Sequence, residues 1–185
     1  EETEGLKFSK VVVDGYAGVL KKMKNLVERG RKRIAFLCDT DQPEFVDMHT
    51  RYYSDASREF GIQFDQEYFC VGPYGEESGR EMIKKLFAKG LLPDGILAAD
   101  DMVAMGALKE LILMGIKVPE EIAIIGAGNF FLDSELTTLE PYHYEMGSKA
   151  ADYIIERLSV LNNRVKKGEV LLEEVIEPDL IIRRT

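Results

Sequence analysis

Ile122-Ala-Ile-Ile runs straight into Gly126-Ala127-Gly128. That is how a strand can enter a turn whose backbone cradles a phosphate. A dinucleotide turn needs a third small residue, G-x-G-x-x-G, opening a helix. Phe131 holds the third position here, and the following "LDSELTTLEP" reads as loop up to Pro141. No second strand with an acidic end stands about 20 residues further on, so the nucleotide reading has little support. Catalytic signatures are also missing: the chain has no G-x-S-x-G, no H-E-x-x-H and no phosphate-loop lysine. The carboxylate pairs Asp100-Asp101 and Glu120-Glu121 are adjacent in sequence and suit a helix cap and a solvated turn. Asp101 is the expected cap. Cys38 and Cys70 each close a predicted strand, and neither belongs to a C-x-x-C pair. Two thiols do not build a disulfide framework, and a reducing cytoplasm is the natural reading. No enzyme activity, cofactor or metal site is expected from these motifs.

Composition narrows the classes further. The 185 residues are 45% apolar and 31% charged, enough for a core and too well mixed for wholesale disorder. A net charge of -9 repels a nucleic-acid backbone. The densest basic run, "ERGRKR" at 28–33, is short and reads as a solvated helix end. Apolar runs fall far below the roughly 18 residues of a membrane span, and no basic-then-apolar signal segment opens the chain. The opening "EETEGLKFSK" lacks an initiator Met and reads as the cut end of a longer chain.

Any binding residues must be positioned by alternating elements. Short apolar runs read as strands: "KVVVD" (10–14), "RIAFLC" (33–38), "EYFCV" (67–71), "GILAA" (95–99), "IAIIG" (122–126) and "DLIIR" (179–183). Between them lie helical periodicities at roughly 15–29, 45–60, 76–89 and 101–114. Val19, Leu20, Met23, Leu26 and Val27 share one face of the first, and Gly30 ends it. Near-continuous apolar strands alternating with helices predict a doubly wound α/β fold, with one open parallel sheet built from all six strands. Ligands of such sheets sit beyond the C-terminal strand ends, here 39–44, 72–76, 100–102 and 126–130.

The segment "DGILAADDMVAMGALKELILMGIKVPEEIAIIGAGN" resembles the LacI/GalR family of bacterial transcription regulators. The family pattern A-N-D-x-x-A-x-G-A-L reads "AADDMVAMGAL" here, and its G-h-x-V-P-x-D-h-x-h-h-G-F-D, with h apolar, reads "GIKVPEEIAIIGAGN". "VVVDGYAGVL", "ERGRKRIAFL", "EESGREMIKKLF", "LTTLEPYHYEMGSKAADYIIERL" and "DLIIRRT" match further family segments in order, from about Val11 to Thr185. The resemblance implies a type I periplasmic-binding-protein-like sensor, mainly its C-terminal lobe. It implies that residues 1–185 are an effector-binding and dimerisation fragment lacking the helix-turn-helix and most of the N-terminal lobe. DNA would be reached only through that absent N-terminal domain. A homodimer, a cytoplasmic location, no membrane partner and a sugar-like small-molecule effector follow from the same likeness. A periplasmic sugar-binding protein of a transporter, or this sensor fused to another output domain, are the alternatives.

In that family a small effector lies between lobes, with an aromatic ring on its apolar face and polar groups on its hydroxyls. Position by position, the aromatic place falls on Tyr74, which otherwise reads as an ordinary loop tyrosine. The place of an arginine after the second strand falls on His49, with Arg51 two residues on; a lone His also reads as structural. The family's A-N-D becomes Ala99-Asp100-Asp101, putting Asp100 where an amide is usual. The family's G-F-D becomes Gly126-Ala127-Gly128, so its ligand-binding Asp is replaced and the adjacent Asn129 could supply an amide. The expected ligand-binding set is therefore Tyr74, His49, Asp100 and Asn129, suited to a neutral hydroxylated molecule and not to a phosphate. The helix from about His143 to Leu161 carries Met146, Ala150, Tyr153, Ile154, Leu158 and Leu161 on one stripe. That stripe should be covered by this chain or by a second copy.

Overall fold

The alternation of apolar runs and helical periods becomes β1 (Lys10–Val13), α1 (Gly15–Glu28), β2 (Ile34–Cys38), α2 (Pro43–Glu59), β3 (Phe69–Val71), α3 (Glu76–Ala88), β4 (Gly95–Ala98) and α4 (Asp101–Leu113). β5 (Ala123–Ile125), β6 (Thr138–Glu140), α5 (His143–Asn162), β7 (Glu173–Ile176) and β8 (Asp179–Ile181) follow. The computed structural model describes residues 9–162 and 173–185. The chain divides into two units, 1–14 with 141–178, and 15–140 with 179–185.

The larger unit is built on a parallel sheet of order β3-β2-β4-β5. Alternate side chains on each strand face opposite sides, so one strand feeds two cores. Ala35, Leu37, Ile96, Ala98 and Ile124 pack with Met82, Ile83 and Leu86 of α3 and Val103, Ala107 and Leu111 of α4. Ile34, Phe36, Leu97 and Ile125 pack with Val19, Met23 and Leu26 of α1 and Tyr53 and Ala56 of α2. Helices thus cover both faces, as continuous apolar strands require. Each large side chain fully removed from water contributes about 1.5–3 kcal/mol before entropy is counted. Phe36 stacks on Phe69 at 5.3 Å, and the Tyr53 hydroxyl donates to the Ile34 carbonyl at 2.5 Å, so the polar tip of a buried ring is satisfied.

The helices α1 to α4 fall within two residues of the expected spans. The single six-stranded sheet does not form. "KVVVD" becomes β1, which pairs in parallel with β7 in the smaller unit. "DLIIR" becomes β8, which pairs antiparallel with β6. Apolar runs announce strands but carry no information on partner, and the partners here are polar ("EEVI") or very short ("TLE") segments that announce nothing. The chain end is tied back to the main sheet: the Thr185 hydroxyl donates to Ile124 O and accepts from Thr137 N, both at 2.8 Å. No helix among the described residues is long and apolar enough to cross a membrane.

Candidate functional site

The C-terminal ends of β2, β3 and β4 deliver Asp39, the loop of Tyr74, and Asp100 to one end of the main sheet. Tyr74 lies between β3 and α3 and is 60% exposed. Slight burial and the carboxylates of Asp100, Asp39 and Asp101 all raise its phenol above the ordinary value. It borders a cavity of about 450 Å³ with Val71, Pro73, Glu77, Met82 and Lys85; Asp100, His49 and Asn129 do not line that cavity.

Asp100 caps α4, its carboxylate accepting from Met102 N at 2.6 Å. Sequence reasoning gave that cap to Asp101. The extended backbone of Asp100 (φ -143, ψ 155) is what a capping residue needs, and one residue of ambiguity is normal for a D-D pair. Burial pushes the Asp100 carboxyl up to about 6, helped by Asp39 and Asp101 and opposed by the Met102 N–H and Lys22. Asp101 is instead a clasp. It is 1% exposed, accepts the Thr138 hydroxyl at 2.6 Å and accepts Phe130 N at 2.9 Å. A Cβ at Gly126 would stand 2.2 Å from that carboxylate, which is why the G-x-G turn begins with glycine. Of the two glycines that suggested a phosphate turn, Gly126 makes room for a carboxylate of the protein itself, and Gly128 takes a positive φ of 120° beside the Phe130 ring.

His49 projects from α2 toward Phe36, ring centroids 5.5 Å apart, and meets Tyr52 edge-on at 6.4 Å. Burial, then the Lys22 ammonium, lower its pKa, with Asp39 opposing. Its imidazole is therefore neutral near pH 7. Arg51, the alternative, is exposed. Asn129 sits at φ 52, its amide nitrogen donating to Glu140 at 2.8 Å and its oxygen accepting from Arg183 at 2.6 Å. Both amide atoms are thus engaged within the protein. The Asp39 carboxylate contributes to the shifted pKa values of Tyr74, Asp100 and His49 alike. Asn129 belongs to the neighbouring Asp101–Thr138–Glu140 network.

Lys22 was not singled out from the sequence. It lies on α1, is 2% exposed, and donates to the Ala98 carbonyl at 2.7 Å. Burial lowers it to about 8 against the pull of Asp101, Asp39 and Asp100. The available signal was spacing: position 22 falls on the same face as Val19, Met23 and Leu26.

The family model for the periplasmic binding protein-like domain matches residues 23–185. The HTH-type transcriptional repressor CytR of Escherichia coli (strain K12) is 28% identical over 182 residues, 96% of this chain and 52% of that protein. The HTH-type transcriptional repressor PurR of Histophilus somni (strain 129Pt) is 26% identical over 178 residues, 93% of this chain and 51% of that protein. The chain spans about half the length of these repressors. Among solved structures, a transcriptional regulator CelR–cellobiose complex superposes with TM-score 0.83 at 22% identity, covering 98% of this chain and 56% of that one. A sugar-binding transcriptional regulator of the LacI family from Escherichia coli, complexed with phosphate, gives TM-score 0.76 at 25% identity, covering 93% and 61%.

Proposed function

The chain belongs to the periplasmic binding protein-like domain family, and from that premise we propose that it is the effector-sensing part of a LacI/GalR-type transcription regulator. The effector is a small, neutral, hydroxylated, sugar-like molecule held over the C-terminal ends of the main sheet. The observation that supports this reading is that Asp39, Asp100 and the exposed Tyr74 all follow C-terminal strand ends of the main parallel sheet. An exposed phenol ring offers a plate for the C–H face of a sugar. Carboxylates accept hydroxyl protons, and a neutral imidazole both donates and accepts. Phosphate is disfavoured: carboxylates would repel it, and the Lys22 ammonium is buried against the Ala98 carbonyl. Asn129 contributes only if its amide leaves Glu140 or Arg183, so it ranks last of the four.

In the full-length protein this part responds to its effector by changing operator affinity, in a cytoplasmic homodimer, and the chemistry is binding without turnover. Relatives named as repressors support that role. The experiment is calorimetry of the full-length protein against sugars and nucleosides, followed by Tyr74→Ala on any effector found. Loss of the ring contact is expected to weaken binding about tenfold, the scale of one aromatic contact with its buried area. Unchanged affinity removes Tyr74 from the site, and an effector that leaves operator binding unchanged removes the sensing role.

A further inference from the structure

The turn from β2 into α2 brings three metal-type donors together. The Cys38 sulfur, a carboxylate oxygen of Asp39 and a ring nitrogen of His49 all lie within 4.8 Å of one another. Their chain positions hide this: 38 and 39 close a strand, while 49 sits on the helix that folds back over it. His49 Nδ1 is buried and has no hydrogen-bond partner. A buried polar atom left unpaired is unfavourable and calls for an explanation, of which an absent ion is one. The Cys38 thiol has only a long contact to the Thr40 carbonyl, 3.8 Å.

We propose that Cys38, Asp39 and His49 bind a borderline-soft divalent ion such as Zn²⁺, leaving one tetrahedral position for an exogenous oxygen. Sulfur, imidazole and carboxylate together select this class over Mg²⁺ or Ca²⁺, which take oxygen shells. Bonds of about 2.0–2.3 Å in a tetrahedron hold ligand atoms roughly 3.5 Å apart, so ion binding draws the three donors closer than the 4.8 Å within which they now lie. The surrounding charge favours a cation. Asp39, Asp100 and Asp101 all act on the Lys22 ammonium, which is itself held on the Ala98 carbonyl. Three protein ligands and an open position also suit a sensor, since a hydroxyl of a bound molecule can complete the shell. The site stands without any effector, and Cys38 is outside the effector set, so the two readings fail separately.

The test is titration of the tag-free 185-residue chain, kept reduced, with Co²⁺ as a spectroscopic stand-in for Zn²⁺. Saturable binding of one ion is expected, with tetrahedral d–d bands and a thiolate-to-cobalt charge-transfer band that excess Zn²⁺ abolishes. Cys38→Ser should lose the charge-transfer band, while Cys70→Ser keeps it. His49→Gln should weaken binding by about tenfold or more, because even the loss of a partner outside the ligand shell costs 10–100-fold. Circular dichroism checks each variant for folding. Should Cys38→Ser misfold, Asp39→Asn and His49→Gln decide: unchanged Co²⁺ affinity in both overturns the site. Absence of the charge-transfer band at saturating Co²⁺, or its persistence in folded Cys38→Ser, overturns it as well.

Discussion

Asp100 and Lys22 are each held by burial toward the uncharged state, and Asp100 gives the cleaner test because Asn can replace it as a helix cap. Its folded pKa, about 6, lies above the ordinary 3.8. The stability it contributes is therefore fully present below about pH 4 and lost as pH rises through 6. Asp100→Asn, which does not titrate, should match the parent chain at pH 4 and exceed it above pH 6. Asp100 is half-buried, so the gain is discounted for solvent screening to about 1 kcal/mol, or roughly 2–4 °C in Tm. Thermal melts of both chains from pH 4 to 7 check this; parallel curves would mean that Asp100 does not titrate differently on folding. Much at this scale was legible. Asp100 and the loop of Tyr74 lie at strand ends of the doubly wound sheet, as the alternation of elements predicts, whereas His49 lies on α2 and Asn129 is engaged with Glu140 and Arg183. Lys22 was not found, because a lysine beside an apolar stripe ordinarily carries its ammonium to water. The clasp role of Asp101 depends on Thr138 and Phe130, distant in sequence and joined to it only by the fold.

The α3–α4 contact depends on two glycines that face the opposite helix. A Cβ on Gly106 would stand 1.8 Å from the Glu76 carbonyl oxygen, and one on Gly79 would stand 2.0 Å from that of Val103. Both obstacles are backbone, which cannot swing aside as the end of a side chain can. The close approach also lets Arg80 reach Glu110 at 3.1 Å and Lys109 pair with Glu76. Gly106→Ala should therefore force the helices apart despite alanine's better helix propensity. The propensity gain is under about 1 kcal/mol, while overpacking costs about 1–3 kcal/mol or more. A lower urea midpoint is expected, and an unchanged midpoint would show that α3 shifts freely. The sequence made the helices and the main strands readable through their 3.6-residue and continuous apolar patterns. It could not reveal how closely two helices cross, since a mid-helix Gly looks the same whether it faces solvent or backbone. Nor could it pair β1 with β7 or β6 with β8, because Glu173–Ile176 carries two glutamates and Thr138–Glu140 only one large apolar residue.

For the whole molecule the unresolved balance is apolar surface left in water. Ile154, Ile155 and Leu158 of α5 are 57%, 65% and 54% exposed, and Tyr144 is 91% exposed. Of the stripe expected to be covered by this chain or by a second copy, Ile154 and Leu158 stay exposed and Met146 and Tyr153 are half-buried, while the Leu161 side chain lies outside the described residues. Isolated exposed apolar residues are ordinary, but a helix face that repeats them over successive turns is unfavourable in water. Two copies can bury such faces against each other, and identical chains commonly do so through a two-fold interface. A stable pair needs about 800 Å² from each partner, which a helix of 20 residues with its flanks can supply. The 185-residue chain should therefore run as a dimer of 20.9 kDa subunits in multi-angle light scattering at micromolar concentration. Replacing Ile154 and Leu158 together with Lys should shift it to monomer. The same replacement should leave Tm nearly unchanged in the monomer range, because side chains already in water change stability by less than about 0.5 kcal/mol. A parent chain that stays monomeric at high concentration removes the self-association. A lysine variant that stays dimeric moves the interface away from α5, to the exposed Ile112, Leu113 and Leu132 of the larger unit.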